Sequence, residues 1–219
     1  MSLIYAVGDI HGSLDKLESL IGRCGAHAGG RPMTFVFLGD YIDRGLDAAG
    51  VIRLLINLQR EMGERCIPLM GNHEAMALDV IDGISPADYW LPQGGAETLR
   101  SYGVTRAGEL PREHLEWLRG LRLTYDDGRR FYVHAGIDPS RPLDAQDNED
   151  LIWMREPFLS HVGDYGRLIV HGHTPVMDGI PDLRRNRLNL DTGAVFGGPL
   201  SAAVFDQTQT EPIDFLQDA

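Results

Sequence analysis

The chain has 219 residues, of which 43% are apolar and 24% charged. These shares lie close to the globular average and exclude wholesale disorder, collagen and coiled-coil rods. At about 150 residues per domain the length allows one large domain or two small ones, enough for one substantial core. Lys and Arg number 20 against 32 Asp and Glu, a net charge of −12. That excess argues against a general nucleic-acid binder, but not against a small anionic substrate, because bound metal ions reverse local charge.

The two cysteines, Cys24 and Cys66, are too few for a disulfide scaffold and point to reduced thiols in a cytoplasm. No run approaches the ~18 apolar residues of a membrane span. The segment Met1 to Val7 is too short for a signal-peptide core. The expected address is therefore cytoplasmic, with no membrane partner.

Leu3 to Val7 is a short apolar run closed by Gly8, suited to a buried strand. A helix follows from Ser13, a candidate N-cap, with Leu14, Leu17, Leu20, Ile21 and Cys24 on one face. Met33 to Leu38 is the second strand. Asp47 caps a second helix carrying Val51, Leu54, Leu55, Leu58 and Met62. Cys66 to Met70 is the third strand, where Pro68 points to an edge or an irregularity. This βαβαβ rhythm implies parallel strands, with function gathered in the loops after their carboxyl ends.

Residues from about 79 to 124 change character. Gly and Pro punctuate short helical pieces, Ala96 to Tyr102 and Arg112 to Leu121, read here as a small helical cap without a core of its own. Strands return at Arg130 to His134, Arg167 to His171, Arg187 to Asp191 and Ser201 to Asp206. Pro142 to Asp150 reads as a loop, and the acidic tail after Asp206 as frayed. The residues alone thus predict an α/β chain with a β-rich C-terminal part.

Five motifs carry the chemistry: Gly8-Asp9-Ile10-His11-Gly12, Gly39-Asp40-Tyr41-Ile42-Asp43-Arg44-Gly45, Gly71-Asn72-His73-Glu74, His134-Ala135-Gly136 and Gly172-His173-Thr174. Each follows a predicted strand. Asp9 to Asp40 is 31 positions and Asp40 to Asn72 is 32, one βα unit each, so the first three loops share one rim of the sheet. Their donors are oxygen and nitrogen without sulfur, which suits Mn²⁺, Fe or Zn²⁺ in an open catalytic site. The number of donors suits two ions. Two ions about 3.5–4 Å apart can activate a bridging water and clamp an in-line phosphoryl displacement. The chain carries no Cys-x5-Arg, no Walker A lysine motif and no GxSxG elbow.

The run GDIHG, GDYIDRG, GNHE, HAG and GHT resembles the PPP-type metallophosphoesterases. These include serine/threonine protein phosphatases, their bacterial and phage relatives, and diadenosine tetraphosphate hydrolases. The resemblance spans residues 4 to about 206. It implies a single metallophosphoesterase domain over 1–219: a central β-sandwich flanked by helices, with a two-metal site at one edge and the cap-like insertion at about 79–124. It further implies that Asp9 and His11 bind one ion, Asp40 bridges both, and Asn72, His134 and His173 complete the second. His171-Gly172-His173 offers two candidates, and the family pattern selects His173. His73 would be the general acid, with Asp43 as its partner. Arg44 would hold phosphate oxygens. Arg155 resembles the second phosphate arginine of bacterial members, the bland alternative being a surface ion pair with Glu156 or another acid. Glu74 would fix its loop.

Two divalent ions, Mn²⁺ foremost, are the implied cofactors, with a phosphorylated protein or small phosphate ester as substrate. Asp43 and Glu74 match the phosphatase version of their motifs and favour a serine/threonine protein phosphatase. Met70 departs from that pattern, since an arginine often stands there. A dinucleotide pyrophosphohydrolase is the alternative, in which Trp90 or Tyr89 would stack on a base rather than pack the cap. A non-catalytic binding module would need a damaged site, and every expected ligand is present.

Overall fold

A computed structural model describes residues 2–218; Met1, part of the N-terminal segment read above, lies outside them. Two five-stranded sheets form the centre. The first has β1 (Leu3–Val7), β2 (Met33–Phe37), β3 (Cys66–Pro68), β9 (Ser201–Phe205) and β10 (Asp214–Gln217), in the order β10-β9-β1-β2-β3. β1 pairs with β2, and β2 with β3, in parallel; β9 and β10 run antiparallel. The second sheet has β4 (Thr124–Asp126), β5 (Arg130–Val133), β6 (Leu168–His171), β7 (Asp182–Leu183) and β8 (Arg187–Asn189), in the order β4-β5-β6-β8-β7. Its three central strands are parallel and its edges antiparallel.

Side chains of a strand alternate between faces, and here both faces are buried. Leu3, Tyr5 and Val7 of β1, with Phe35 and Phe37 of β2, pack under the helices α1 (Leu14–Ala28) and α2 (Ala48–Met62). Ile4, Ala6 and Val36 turn the other way and meet Tyr132, Leu168, Val170 and Leu188 of the second sheet. The outer face of that sheet buries Phe131, Val133 and Ile169 with Phe158 and Leu151. The architecture is a β-sandwich with helices outside it. Pro68 sits in the edge strand β3, where its missing N–H costs no ladder bond.

Asp47 caps α2, its carboxylate accepting the Gly50 N–H at 2.7 Å. Ser13 precedes α1 but its side chain makes no cap bond. Residues 79–124 form α4 (Ala87–Trp90), α5 (Gly95–Tyr102) and α6 (Arg112–Arg119). Their buried Trp90, Leu99 and Leu118 join the helix-side core.

Two expectations are corrected. The tail does not fray as a whole: β10 pairs along β9 from Asp214 to Gln217. The stretch 142–150 is not all loop, because a 3₁₀ turn covers Leu143–Ala145 and α7 (Asn148–Trp153) starts within it, burying Leu151 and Ile152. Helix α3 (Asn72–Ile81) opens directly on the third motif. Among the described residues no helix is long and apolar enough to cross a membrane.

Candidate metal centre and active site

The five motifs follow β1, β2, β3, β5 and β6, so both sheets deliver their C-terminal loops to one edge of the sandwich. Backbone bonds lock these loops together. The Asp40 carbonyl accepts the N–H groups of Ile10 (3.1 Å) and His11 (2.8 Å), and the His134 carbonyl accepts that of Gly172 (2.8 Å). The glycines allow the approach: a Cβ at Gly172 would collide with the Asp9 carboxylate, and one at Gly71 with Asp40. Among the described residues, the non-glycine residues with positive φ are His11, Asp40, Asp43, Arg44 and His173. Backbone strain is thus confined to candidate site residues, as expected where the surroundings over-determine a functional geometry.

Two groups of ligand atoms converge, His11 with Asp40 and His73, and Asp40 with His134 and His173. All are buried and Asp40 belongs to both. His11 donates its Nδ1–H to the Ile42 carbonyl (2.8 Å), which leaves the Nε2 lone pair facing Asp40 Oδ2 at 3.3 Å. His134 donates Nδ1–H to the Leu38 carbonyl (2.9 Å), so its Nε2 lone pair points at Asn72 Oδ1 (2.9 Å) and Asp40 Oδ1 (3.4 Å). His173 Nδ1 lies 3.0 Å from the same Asn72 oxygen. Burial pushes the His134 and His173 imidazoles down, His173 to about 3, so both are neutral at pH 7. At Asn72 Oδ1 the His134 Nε2 lone pair thus faces another acceptor at hydrogen-bond distance with no proton between them, an arrangement that fits a cation. Carbonyl-fixed imidazole tautomers are the usual outer support of metal ligands.

The carboxylates tell the same story. Burial pushes Asp40 up, but His134, His73 and His11 outweigh it and hold the group well below the usual range. Asp9 is raised by burial, then by Asp191 and Asp40. Asp9 belongs to neither converging group; it enters the site by accepting the His173 N–H at 3.1 and 3.2 Å. Crowded buried carboxylates are what a divalent cation relieves.

His73 and Asp43 pair directly, Nδ1 to Oδ2 at 2.7 Å, with His73 Nε2 turned toward Asp40 Oδ2 at 3.9 Å. Arg44 donates to His11 Nε2 (2.7 Å), and its guanidinium lies 5.6 Å from the Phe196 ring centre. Arg155 is exposed, and its charge helps to hold His173 down. Among the described residues it makes no ion pair, and Glu156 accepts the Ser160 hydroxyl instead. His171 stays in β6, buried edge-on against Phe158, with its Nε2 unbonded among the described residues. Met70 packs on the helix-side core and brings no charge.

Glu74 accepts four backbone N–H groups, Asp40 (2.8 Å) and Gly71 (3.0 Å) on Oε2, Tyr41 (2.8 Å) and Ile42 (3.2 Å) on Oε1. Burial and Asp40 push this carboxyl up, to about 8, against the N–H groups of Ile42 and Tyr41. The donors decide its charge: all four are N–H, and none can accept a proton from it.

Sequence reasoning missed the bonds that Trp90 and Thr98 make to Asp43, and it read Asp191 only as the end of a strand. Trp90 is fully buried with its indole N–H on Asp43 (2.7 Å), so it is not a base-stacking platform; Tyr89 is half exposed. Asp191 is raised to about 6, chiefly by burial. A carboxyl raised in the folded state binds its proton more tightly there. Its stabilising share is present at low pH and lost as pH rises between 3.8 and about 6. From the direction of that shift, Asp191→Asn is expected to stabilise the metal-free protein at pH 7, by on the order of 1 kcal/mol or more. Thermal melts in chelator across pH 4–7 check this, and an unchanged difference from the parent at both ends would contradict it.

A family model for calcineurin-like phosphoesterases matches residues 2–198. An asymmetrical bis(5′-nucleosyl)-tetraphosphatase of Oceanobacillus iheyensis is 28% identical, covering 94% of this chain and 90% of its own. Serine/threonine-protein phosphatase 1 of Salmonella typhimurium is 30% identical, covering 91% and 90%. A proposed diadenosine tetraphosphatase of known crystal structure superposes with a TM-score of 0.73 at 26% identity, over 98% of this chain and 93% of that one.

Proposed function

The chain belongs to the calcineurin-like phosphoesterase family and is a hydrolase of phosphate esters, and from that premise we propose that it is a phosphomonoesterase of the bacterial serine/threonine protein phosphatase type. Asp9 and His11 would hold one divalent ion, Asn72, His134 and His173 another, and Asp40 both. Mn²⁺ is the occupant we put first, with Fe or Zn²⁺ as alternatives, since a donor set of oxygen and nitrogen without sulfur admits all three. When bound, such ions supply Lewis-acid charge for phosphoryl oxygens and make water acidic enough to act as a nucleophile near pH 7.

The observation that carries the reading is the buried His73–Asp43 pair at 2.7 Å, with the far nitrogen of His73 turned into the donor cluster. Asp43 fixes the ring, and His73 Nε2 gives its proton to the ester oxygen as the P–O bond breaks. The leaving group departs as an alcohol, and a neutral imidazole keeps its Nδ1–H on Asp43. Arg44 and Arg155 bind the remaining phosphate oxygens. The whole chain acts as one catalytic domain, with residues 79–124 as an insertion that reaches the site through Trp90 and Thr98. The buried, free cysteines Cys24 and Cys66 support a cytoplasmic address.

A bis(5′-nucleosyl)-tetraphosphatase activity is the second reading, favoured by the Oceanobacillus relative. A substrate panel with Mn²⁺ separates the two: phosphopeptides and p-nitrophenyl phosphate against dinucleoside tetraphosphates. We expect higher kcat/KM on the monoesters. A preference of about tenfold or more for the dinucleotides would replace the first reading with the second.

A further inference from the structure

We propose that Trp90 and Thr98 are positioning residues for this reaction, holding the Asp43 carboxylate in the orientation that aims His73 at the site. The inference rests on the reading of His73 as proton donor.

Asp43 is wholly buried, and among the described residues neither lysine nor arginine forms an ion pair with it. Three donors meet it instead. Oδ1 accepts the Thr98 hydroxyl at 2.6 Å, while Oδ2 accepts both the Trp90 indole N–H and the His73 ring N–H at 2.7 Å. Two donors reaching one oxygen and a third reaching the other fix the carboxylate plane, and with it the direction of the His73 bond. Thr98 is used twice, since its hydroxyl also accepts the Asp43 backbone N–H at 2.8 Å. That bond closes a ring around a residue held at φ 70°.

Trp90 ends α4 and Thr98 lies in α5, and the connection between the two helices is docked on the second motif. The Gly94 carbonyl accepts the Arg44 N–H at 3.3 Å. A Cβ at Gly94 would crowd Arg44, and one at Gly95 would run into the Trp90 ring. Neither Trp90 nor Thr98 belongs to a converging ligand group, and the side-chain hydrogen bonds of both end on Asp43. They act through it and do not touch substrate. The insertion is therefore part of the acid machinery, beyond any role as a cover.

Trp90→Phe removes the indole N–H but keeps an aromatic ring, and Thr98→Val removes the hydroxyl at nearly constant shape. The two readout substrates, p-nitrophenyl phosphate and phenyl phosphate, differ in leaving-group basicity and little in form. With Mn²⁺ content unchanged, both variants should lower kcat on phenyl phosphate about tenfold and on p-nitrophenyl phosphate less than about threefold. Thr98→Ser should restore the parent ratio. His73→Gln is the control for the acid reading and should split the two substrates more widely. If His73→Gln splits them while Trp90→Phe and Thr98→Val lower both equally or neither, the proposal fails and the acid reading stands. If His73→Gln itself does not split them, the acid reading fails and takes the proposal with it. Should Trp90→Phe not fold, Thr98→Val with its serine rescue decides.

Discussion

Asp40→Asn is expected to lower turnover of p-nitrophenyl phosphate by about a thousandfold or more and to leave fewer than two tightly held ions per chain. Asp40 is shared by both converging groups: Oδ2 faces His11 at 3.3 Å, and Oδ1 faces His134 at 3.4 Å. Asparagine keeps the shape but converts one oxygen to an NH₂ group, which offers hydrogens where a cation needs an electron pair. The loop should survive. Asp40 sits at φ 54°, a conformation that asparagine tolerates better than most residues. Metal analysis after dialysis against Mn²⁺, with kcat alongside, checks the result. Two retained ions and activity within about tenfold of the parent would show that Asp40 is not the shared ligand.

The parts legible in the sequence were those whose physics is local. Leu3–Val7 reads as a strand because both its faces are buried, so it is apolar throughout. The motif donors are legible because parallel sheets collect chemistry at their carboxyl ends. What escaped depends on distant partners. β10 carries exposed Asp214 and Phe215 and exists because β9 offers it an edge. α7 buries little beyond Leu151 and Ile152. Trp90 and Thr98 stand 47 and 55 positions from the carboxylate they hold, and no spacing rule links them to it. The choice between His171 and His173 turns on the strand end. His171 is the last residue of β6 and remains in the wall, whereas His173 lies past Gly172 at φ 66°, where the chain turns into the site.

Glu74→Gln is expected to destabilise the protein by about 3–5 kcal/mol and to weaken metal binding with it, the range seen when a buried charge network loses one member. Glu74 is the third residue of α3, where the helix N-terminus also favours an anion. Each of its oxygens accepts two backbone N–H groups, from Asp40 and Gly71 on one side and from Tyr41 and Ile42 on the other. Either orientation of a glutamine amide sets its NH₂ against two N–H donors, and the loop carrying Asp40 loses its anchor. A carboxyl that stayed protonated up to about pH 8, the direction in which burial and Asp40 push it, would make glutamine a near-isosteric replacement of little consequence. The pH dependence separates the cases. A raised carboxyl stabilises at low pH and loses that share between 4.5 and about 8. An ionised one, depressed by its four donors, stabilises above its unfolded pKa and loses that share as the medium turns acid. Urea unfolding at pH 5 and pH 8 should therefore show the larger cost of Glu74→Gln persisting at pH 8; a cost below about 1 kcal/mol at both would mean that the site is built around a neutral acid.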